Sequence, residues 1–250
     1  MHSGDPSWPS VPELERLTAR TWRGLEEEPF GDWLLRAAAG FTVRANSVLV
    51  VGAPAVPLAA AVPAVARWYS DRRLRPQAQL ALPGAEEADA AFDAAGWTRS
   101  EDVLVLTAGL HGWAEPGVQV ELADAPDAGW LAGYRYRDAL LPAVATDVLT
   151  HADRPVFASV RPDPPPAPPA AVARGVVETG RLCVTAVTVD DRYRRQGLAT
   201  AVMAALGAWA RGTGASSCVL QVAASNAPAI ALYDRLGFTE HHRYHSRVAP

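Results

Sequence analysis

The run Arg194-Arg195-Gln196-Gly197-Leu198-Ala199-Thr200 follows an apolar, β-branched stretch and opens a segment of helical periodicity. A strand, a glycine turn and a helix start, in that order, make a cradle for an anion. The first amides of a helix lack intrahelical acceptors, the helix dipole adds partial positive charge, and two arginines raise the local potential further. The chemistry expected is recognition of a pyrophosphate on a nucleotide or coenzyme. Taken alone, the same glycine reads more simply as a plain helix cap.

The elements that must position this turn are legible around it. Val172–Glu178 and Leu182–Val189 read as a hairpin turning at Thr179-Gly180, and the second strand leads into the cradle. Leu198, Val202, Leu206 and Trp209 then fall at helical spacing, followed by a strand at Ser217–Val222 and a short helix ending at Gly237-Phe238. Upstream, Val118–Leu122 reads as a strand, Pro126–Arg135 and Leu140–Ala152 as helices, and Val156–Arg161 as a strand. Six prolines in the eight positions Pro162–Pro169 predict a semi-rigid extended loop.

The same order of elements occurs twice. Leu58, Val62 and Tyr69 stand 140 residues before Leu198, Val202 and Trp209. Gln77–Leu82 matches the strand at Ser217–Val222, and Phe92-Asp93-Ala94-Ala95-Gly96-Trp97 matches Tyr233-Asp234-Arg235-Leu236-Gly237-Phe238 at an offset of 141. Gly96 and Gly237 sit where a helix end favours a left-handed residue. The copies differ where chemistry would lie: the first has Pro54-Ala55-Val56-Pro57 in place of Arg194 to Gly197, and Phe92 in place of Tyr233. Without charge, and with two backbone donors replaced by proline, the first copy is not expected to bind phosphate. The fold class expected is α/β, an α+β mixed sheet in two related units: 1–112, a scaffold, and 113–250, with the boundary at His111–Gly117, where Gly112, Pro116 and Gly117 interrupt both patterns.

Composition narrows the partners. The chain has 250 residues, 49% of them hydrophobic, enough for one large core or two of ordinary size. A net charge of −4 and no basic run interleaved with aromatics argue against a nucleic-acid partner. Cys183 and Cys218 lie on predicted internal strands and read as small buried hydrophobes, as suits a reducing cytoplasm. The prolines of Met1–Pro12 exclude a secretory signal there. Val48–Ala66 is uncharged over a membrane-spanning length, but Gly52, Pro54, Pro57 and Pro63 interrupt it, so it reads as a buried strand followed by a helix and no membrane association is expected.

Strand, Arg-x-x-Gly-x-Ala, helix, strand, then Asn226-Ala-Pro-Ala-x-x-Leu-Tyr233-x-x-x-Gly-Phe: with these motifs the second half resembles the GCN5-related N-acetyltransferase (GNAT) superfamily over residues 118–247. Two separate motifs in order carry the resemblance. The whole chain, with Trp33-Leu34-Leu35-Arg36 and Arg44-Ala45-Asn46-Ser47 in its degenerate first half, is similar to tandem GNAT proteins. The resemblance implies the GNAT acyl-CoA transferase fold in the C-terminal half, acetyl-CoA as co-substrate without a metal, and transfer to an amine, either a small amine or a protein amine. It places Arg194, Arg195, Gln196, Gly197, Leu198, Ala199 and Thr200 at the pyrophosphate loop, and the backbone of Val187 and Val189 along the pantetheine arm. Asn226 reads both as a helix N-cap and as a residue facing that arm. A homodimer is compatible with the resemblance.

Tyr233 is the expected general acid: a phenol of pKa about 10 can donate to a departing sulfur whose thiol pKa is about 8.5. An alkyl ammonium of pKa about 10.4 must lose a proton before it attacks. Many relatives use a glutamate on the fourth strand of the fold, but Leu182–Val189 has no carboxylate and Thr185 stands near that place. A water held by Thr185 or backbone carbonyls, or Glu178 from the neighbouring strand, could serve instead, although Glu178 reads more simply as a solvated turn residue. The missing carboxylate also leaves open a non-catalytic module that binds an acyl-CoA or a partner, and pocket depth near Val187 leaves a longer acyl donor open. His241, His242 and His245 lack a completing ligand set for zinc; His241 and His245 share a face that could line an acceptor pocket, though an exposed terminal strand is the simpler reading. Asp124, Asp127, Asp138 and Asp147 read as caps or solvated faces, with pairing to a cationic acceptor as the alternative.

Overall fold

A computed structural model describes residues 8–136, 139–162 and 167–250. It forms two compact units. The first holds residues 8–106 together with Val222–Ile230 and Glu240–Pro250; the second holds the described residues of Thr107–Gln221 together with Ala231–Thr239. This differs from a split at 112/113, because later segments return to the first unit.

In chain order the elements are α1 (Val11–Thr21), β1 (Glu26–Phe30), β2 (Trp33–Ala37), β3 (Val48–Val50), α2 (Leu58–Asp71), β4 (Gln77–Leu82), α3 (Glu86–Ala94), β5 (Thr98–Arg99) and β6 (Val103–Gly109). There follow β7 (Glu121–Ala123), α4 (Ala128–Gly133), α5 (Ala145–Thr150), β8 (Val156–Val160), β9 (Ala171–Glu178), β10 (Arg181–Val189), α6 (Leu198–Gly212), β11 (Ser217–Ala223), α7 (Ala227–Arg235) and β12 (Thr239–Val248).

In the first unit the strands run β1-β2-β3-β4-β12, with β5 pairing β12. The β1–β2 hairpin is antiparallel, β3 and β4 are parallel, and β12 lies antiparallel on β4 from Arg243↔Leu82 to Val248↔Gln77. Helix α1 starts at Ser10, whose N–H and hydroxyl both donate to Glu13 Oε2 at 2.8 and 2.7 Å. The apolar spacing of β3, α2 and β4 buries Val48, Val50, Val65, Tyr69 and Leu80 around Trp33, Phe92 and Trp97. Uncharged Val48–Ala66 thus folds as a strand and a helix, and among the described residues no helix is long and apolar enough to cross a membrane.

In the second unit the order is β7-β8-β9-β10-β11, with β9 antiparallel to β8 and β10, and β10 parallel to β11. Helix α6 buries Leu198, Val202 and Leu206 of the predicted stripe, while Trp209 is half-buried. It approaches β9 closely at Gly175, where a Cβ would meet Leu206 Cδ2 at 3.0 Å. Trp130 of α4 packs edge-on against Phe157 of β8, centroids 5.0 Å apart. Of the proline loop, residues 163–166 lie outside the described residues.

Candidate active site

The site grows out of an interrupted ladder. β10 and β11 pair from Arg181↔Ser217 to Val184↔Leu220 and no further. Beyond that point β10 stays on β9, through Thr188↔Val172 and Val189↔Ala171, with a bulge between Thr185 and Thr188 where Ala186 takes φ 56°. Thr185 to Val189, including Val187, are half-buried, so the strand presents backbone along an open seam.

The seam leads directly to the arginine–glycine turn. Asp190 caps a single 3-10 turn, Asp191–Tyr193, by accepting from the Arg192 N–H at 2.9 Å. The Arg192 guanidinium also grips Asp190 and holds its carboxyl down at about 2. Arg195 and Gly197 then take positive φ, 63° and 78°, which turns the chain into α6. At such a φ only glycine is unstrained, and no atom lies within 4 Å of where a Gly197 Cβ would stand. The first intrahelical bond is from the Ala201 N–H to Gly197 O at 3.0 Å, so the amides of Leu198, Ala199 and Thr200 precede the helical ladder. Arg194, Arg195, Gln196 and Gly197 are exposed; Arg194, with its side chain 66% exposed, pairs with Asp191 at 2.6 Å.

Tyr233 sits on α7 with 6% of its surface exposed, its ring edge-on to Phe238 at 5.6 Å between centroids. Burial, with Cys218 adding to it, pushes the phenol up to about 12. Its hydroxyl donates to no group among the described residues. Gly237, at φ 82°, ends α7 as expected, and the Phe238 N–H closes on Tyr233 O at 3.0 Å. Asn226, in the first unit, caps α7 by accepting from the Ala229 N–H at 3.3 Å. Cys183 and Cys218 are buried free thiols.

Glu178 and Thr185, the two candidate supports for the base, stand apart. Glu178 pairs with Arg181 at the hairpin end of β9, whereas Thr185 pairs with Arg174. Four strand positions, roughly 13 Å at ~3.3 Å per residue, separate Glu178 from Thr185, and the cradle lies beyond the opposite end of β10. The residue behind Thr185 is Arg174, fully buried, donating from Nε to Leu149 O at 2.7 Å and from Nη1 to Thr185 Oγ1 at 3.4 Å. The signal for it was a lone charge inside the apolar run 171–177.

The reading of the terminal histidines as an exposed strand is overturned. β12 is an interior strand of the first unit, and His242 and His245 are buried: His242 Nε2 meets Glu15 at 2.8 Å and His245 Nε2 meets Asp89 at 2.7 Å. Among the described residues no group of three or more His, Cys, Asp or Glu could hold a metal ion. Asp127 is a cap, accepting from the Trp130 N–H at 2.6 Å and pairing with Arg161. Asp147 lies in the first turn of α5 and Asp124 is exposed, while Asp138 lies outside the described residues.

The first copy offers no comparable turn. Leu58 lies eight positions after Val50, where β3 leaves β4, whereas Leu198 lies fourteen after Val184, where β10 leaves β11, so β10 runs six residues further after parting from its parallel neighbour, although the connections 51–57 and 190–197 differ by only one residue. The backbone that remains is already used: the Ala53 N–H donates to Asp32 Oδ2 at 3.0 Å and the Ala55 N–H to Phe30 O at 3.2 Å.

Parted parallel strands, a bulge on one of them and a helix start whose first amides precede its ladder are the site features of a GCN5-related N-acetyltransferase. The solved structure of a GCN5-related N-acetyltransferase from Kribbella flavida shares the fold, with a TM-score of 0.67, 17% identity, and coverage of 98% of this chain and 97% of that one. The chain belongs to the family described as Probable histone acetyltransferase Rv0428c C-terminal, whose model matches residues 10–247. The Probable histone acetyltransferase Rv0428c of Mycobacterium tuberculosis is 32% identical over 255 residues, covering 96% of this chain and 74% of that protein. A tandem GNAT protein from the clavulanic acid biosynthesis pathway aligns with a TM-score of 0.55 and 17% identity, over 75% of this chain and 69% of that one. The protein is an N-acetyltransferase of the GNAT type.

Proposed function

We propose that the protein moves an acetyl group from acetyl-CoA to a primary amine by direct attack, with Tyr233 assisting departure of the thiolate. The observation that supports this best is the parting of β10 from β11 after Val184 and Leu220, because the half-buried backbone it leaves runs straight to the amides that open α6. Those donors suit the coenzyme: amides and arginines for its pyrophosphate, and an open strand edge at Val187 and Val189 for the amides of its arm. The ion pair of Arg194 with Asp191 is solvent-exposed and worth about 0–1 kcal/mol, so exchanging Asp191 for a phosphate costs little.

Bound acetyl-CoA supplies an acetyl group activated as a thioester. Tyr233, raised to about 12, stays protonated near neutrality and acts as a hydrogen-bond donor to sulfur. Thr185, held by the buried Arg174, orients a water that accepts the proton of the incoming ammonium. Arg194, Arg195, Gln196, Gly197, Leu198, Ala199 and Thr200 bind the pyrophosphate.

The test is calorimetric titration of acetyl-CoA into the full chain, with the double variant Arg194→Ala/Gly197→Pro as control, followed by thiol release across small amines and lysine peptides. The lysine peptides are included because the mycobacterial relative is named a histone acetyltransferase. Binding lost in the control, with thiol released by one amine class, is expected. Binding without turnover on any amine would favour the non-catalytic module, which the absence of a carboxylate from β10 also suggests.

A further inference from the structure

The first unit contains a cavity of about 240 Å³ that the acetyl-transfer reading does not use. It lies between α1 and the β1–β2 hairpin, with Leu34 and Leu49 among its apolar lining and Arg16, Arg20, Glu27 and Asp32 supplying both signs of charge. Leu34 packs on the buried cluster of Ala19, Leu49 and Val51, so that lining belongs to the packed interior.

The charged groups divide into engaged and open. Glu27 accepts from the Gly24 N–H at 3.0 Å and pairs with Arg23. Arg16, half-buried, has a single long contact, 3.5 Å from Nη2 to Val51 O, and no carboxylate partner among the described residues. Asp32, on the solvent-exposed rim, uses Oδ2 to accept from the Ala53 N–H at 3.0 Å and has no cationic partner among them. A cation and an anion therefore face one small cavity without pairing with each other or with a neighbour. A ligand carrying both charges on an aliphatic body would pair with Arg16 and Asp32 together and rest on the partly buried Leu34. The volume sits just below the ~300–1,000 Å³ of sites for drug-sized molecules, which limits the ligand to a small metabolite.

We propose that this cavity binds a free aliphatic α-amino acid as a zwitterion, its carboxylate on Arg16 and its ammonium on Asp32. It is a second ligand site, separate in residues from the acetyl-transfer site.

The test uses L-leucine as probe, titrated calorimetrically into the full chain without acetyl-CoA. Leucinamide lacks the carboxylate and 4-methylpentanoate lacks the ammonium. Saturable leucine binding is expected, with at least tenfold weaker binding of each half-ligand. Arg16→Gln and Asp32→Asn should each weaken leucine at least tenfold while leaving thermal unfolding unchanged, since asparagine still accepts from the Ala53 N–H. No saturable leucine binding would overturn the proposal. So would equal binding of 4-methylpentanoate, or leucine affinity unaltered in Arg16→Gln, which would place the ligand elsewhere. None of these readouts depends on acetyl transfer, so either reading can fail without the other.

Discussion

Replacing Tyr233 by phenylalanine separates the chemistry of the site from its packing. The ring keeps its contact with Phe238, and the lost hydroxyl had no acceptor among the described residues, so folding stability should change by less than about 0.5 kcal/mol. Turnover should change far more. With the phenol at about 12 and a thiol near 8.5, outright proton transfer to the thiolate is uphill by roughly 3.5 units, or ~5 kcal/mol. The phenol therefore serves as a hydrogen-bond donor to developing negative charge, an interaction of about 1.5–3 kcal/mol. At 1.4 kcal/mol per factor of ten, the substitution should lower kcat roughly 10- to 150-fold. The assay is release of free CoA thiol with the amine selected by the panel, alongside calorimetric affinity for acetyl-CoA, which should stay within twofold. A loss of affinity equal to the loss of kcat would refute the assignment. So would a wild-type alkaline limb between pH 8 and 9 that vanishes in the variant, because it would mean the phenol ionises there.

Gly197→Ala should cost about 1–2 kcal/mol in urea unfolding, since φ 78° forces alanine into the left-handed region with nothing nearby to clash; an unchanged midpoint would mean the turn relaxes freely. Glu15, fully buried, accepts from Gln79 Nε2 at 2.6 Å and lies 2.8 Å from His242 Nε2, while Gln79 Oε1 accepts from the buried Arg36 at 3.0 Å. Glu15→Ala strands these partners and should destabilise by about 3–5 kcal/mol, and a loss below 1 kcal/mol in equilibrium unfolding would show that the network contributes little. Burial opposes ionisation of Asp89, but hydrogen bonds from Arg247 and His245 outweigh it and hold the carboxyl below its ordinary value. Its contribution is then present above the unfolded value of about 3.9 and lost as pH falls through the lower folded value, so unfolding midpoints of wild type and Asp89→Asn should converge below about pH 4; parallel curves would contradict this.

Much of the second unit was legible because its pattern is local. The β-branched run of β10, the apolar spacing of α6 and the closing glycine of α7 each lie within a dozen or so residues, and each element formed where that local signal placed it. The 140-residue helix offset was visible for the same reason, but the six-residue difference in where the parallel pairing stops was not. Apolar residues run on past the point where the ladder ends, and only the pairing partner shows where that is. The distance of Glu178 from the cradle was legible too, since a hairpin turning at Thr179-Gly180 puts it at the end of the strands opposite the one that enters the cradle. The histidines of β12 were misread because their partners, Glu15 and Asp89, are 227 and 156 positions away. Arg36 and Arg174 were seen as residues but not as buried donors, since burial of a charge depends on acceptors that the local sequence does not contain.

The return of β12 to β4 also constrains how the protein is made. Arg243 and Leu82 are ladder partners 161 positions apart, so at ~5–20 residues per second β4 waits roughly 8–32 seconds on the ribosome for that neighbour. During that interval the side of β4 that β12 will occupy exposes unpaired backbone, the kind of edge that recruits foreign strands. The first unit, although encoded first, is therefore completed late, and nascent chains stalled before residue 240 are the species for which holding chaperones would matter most.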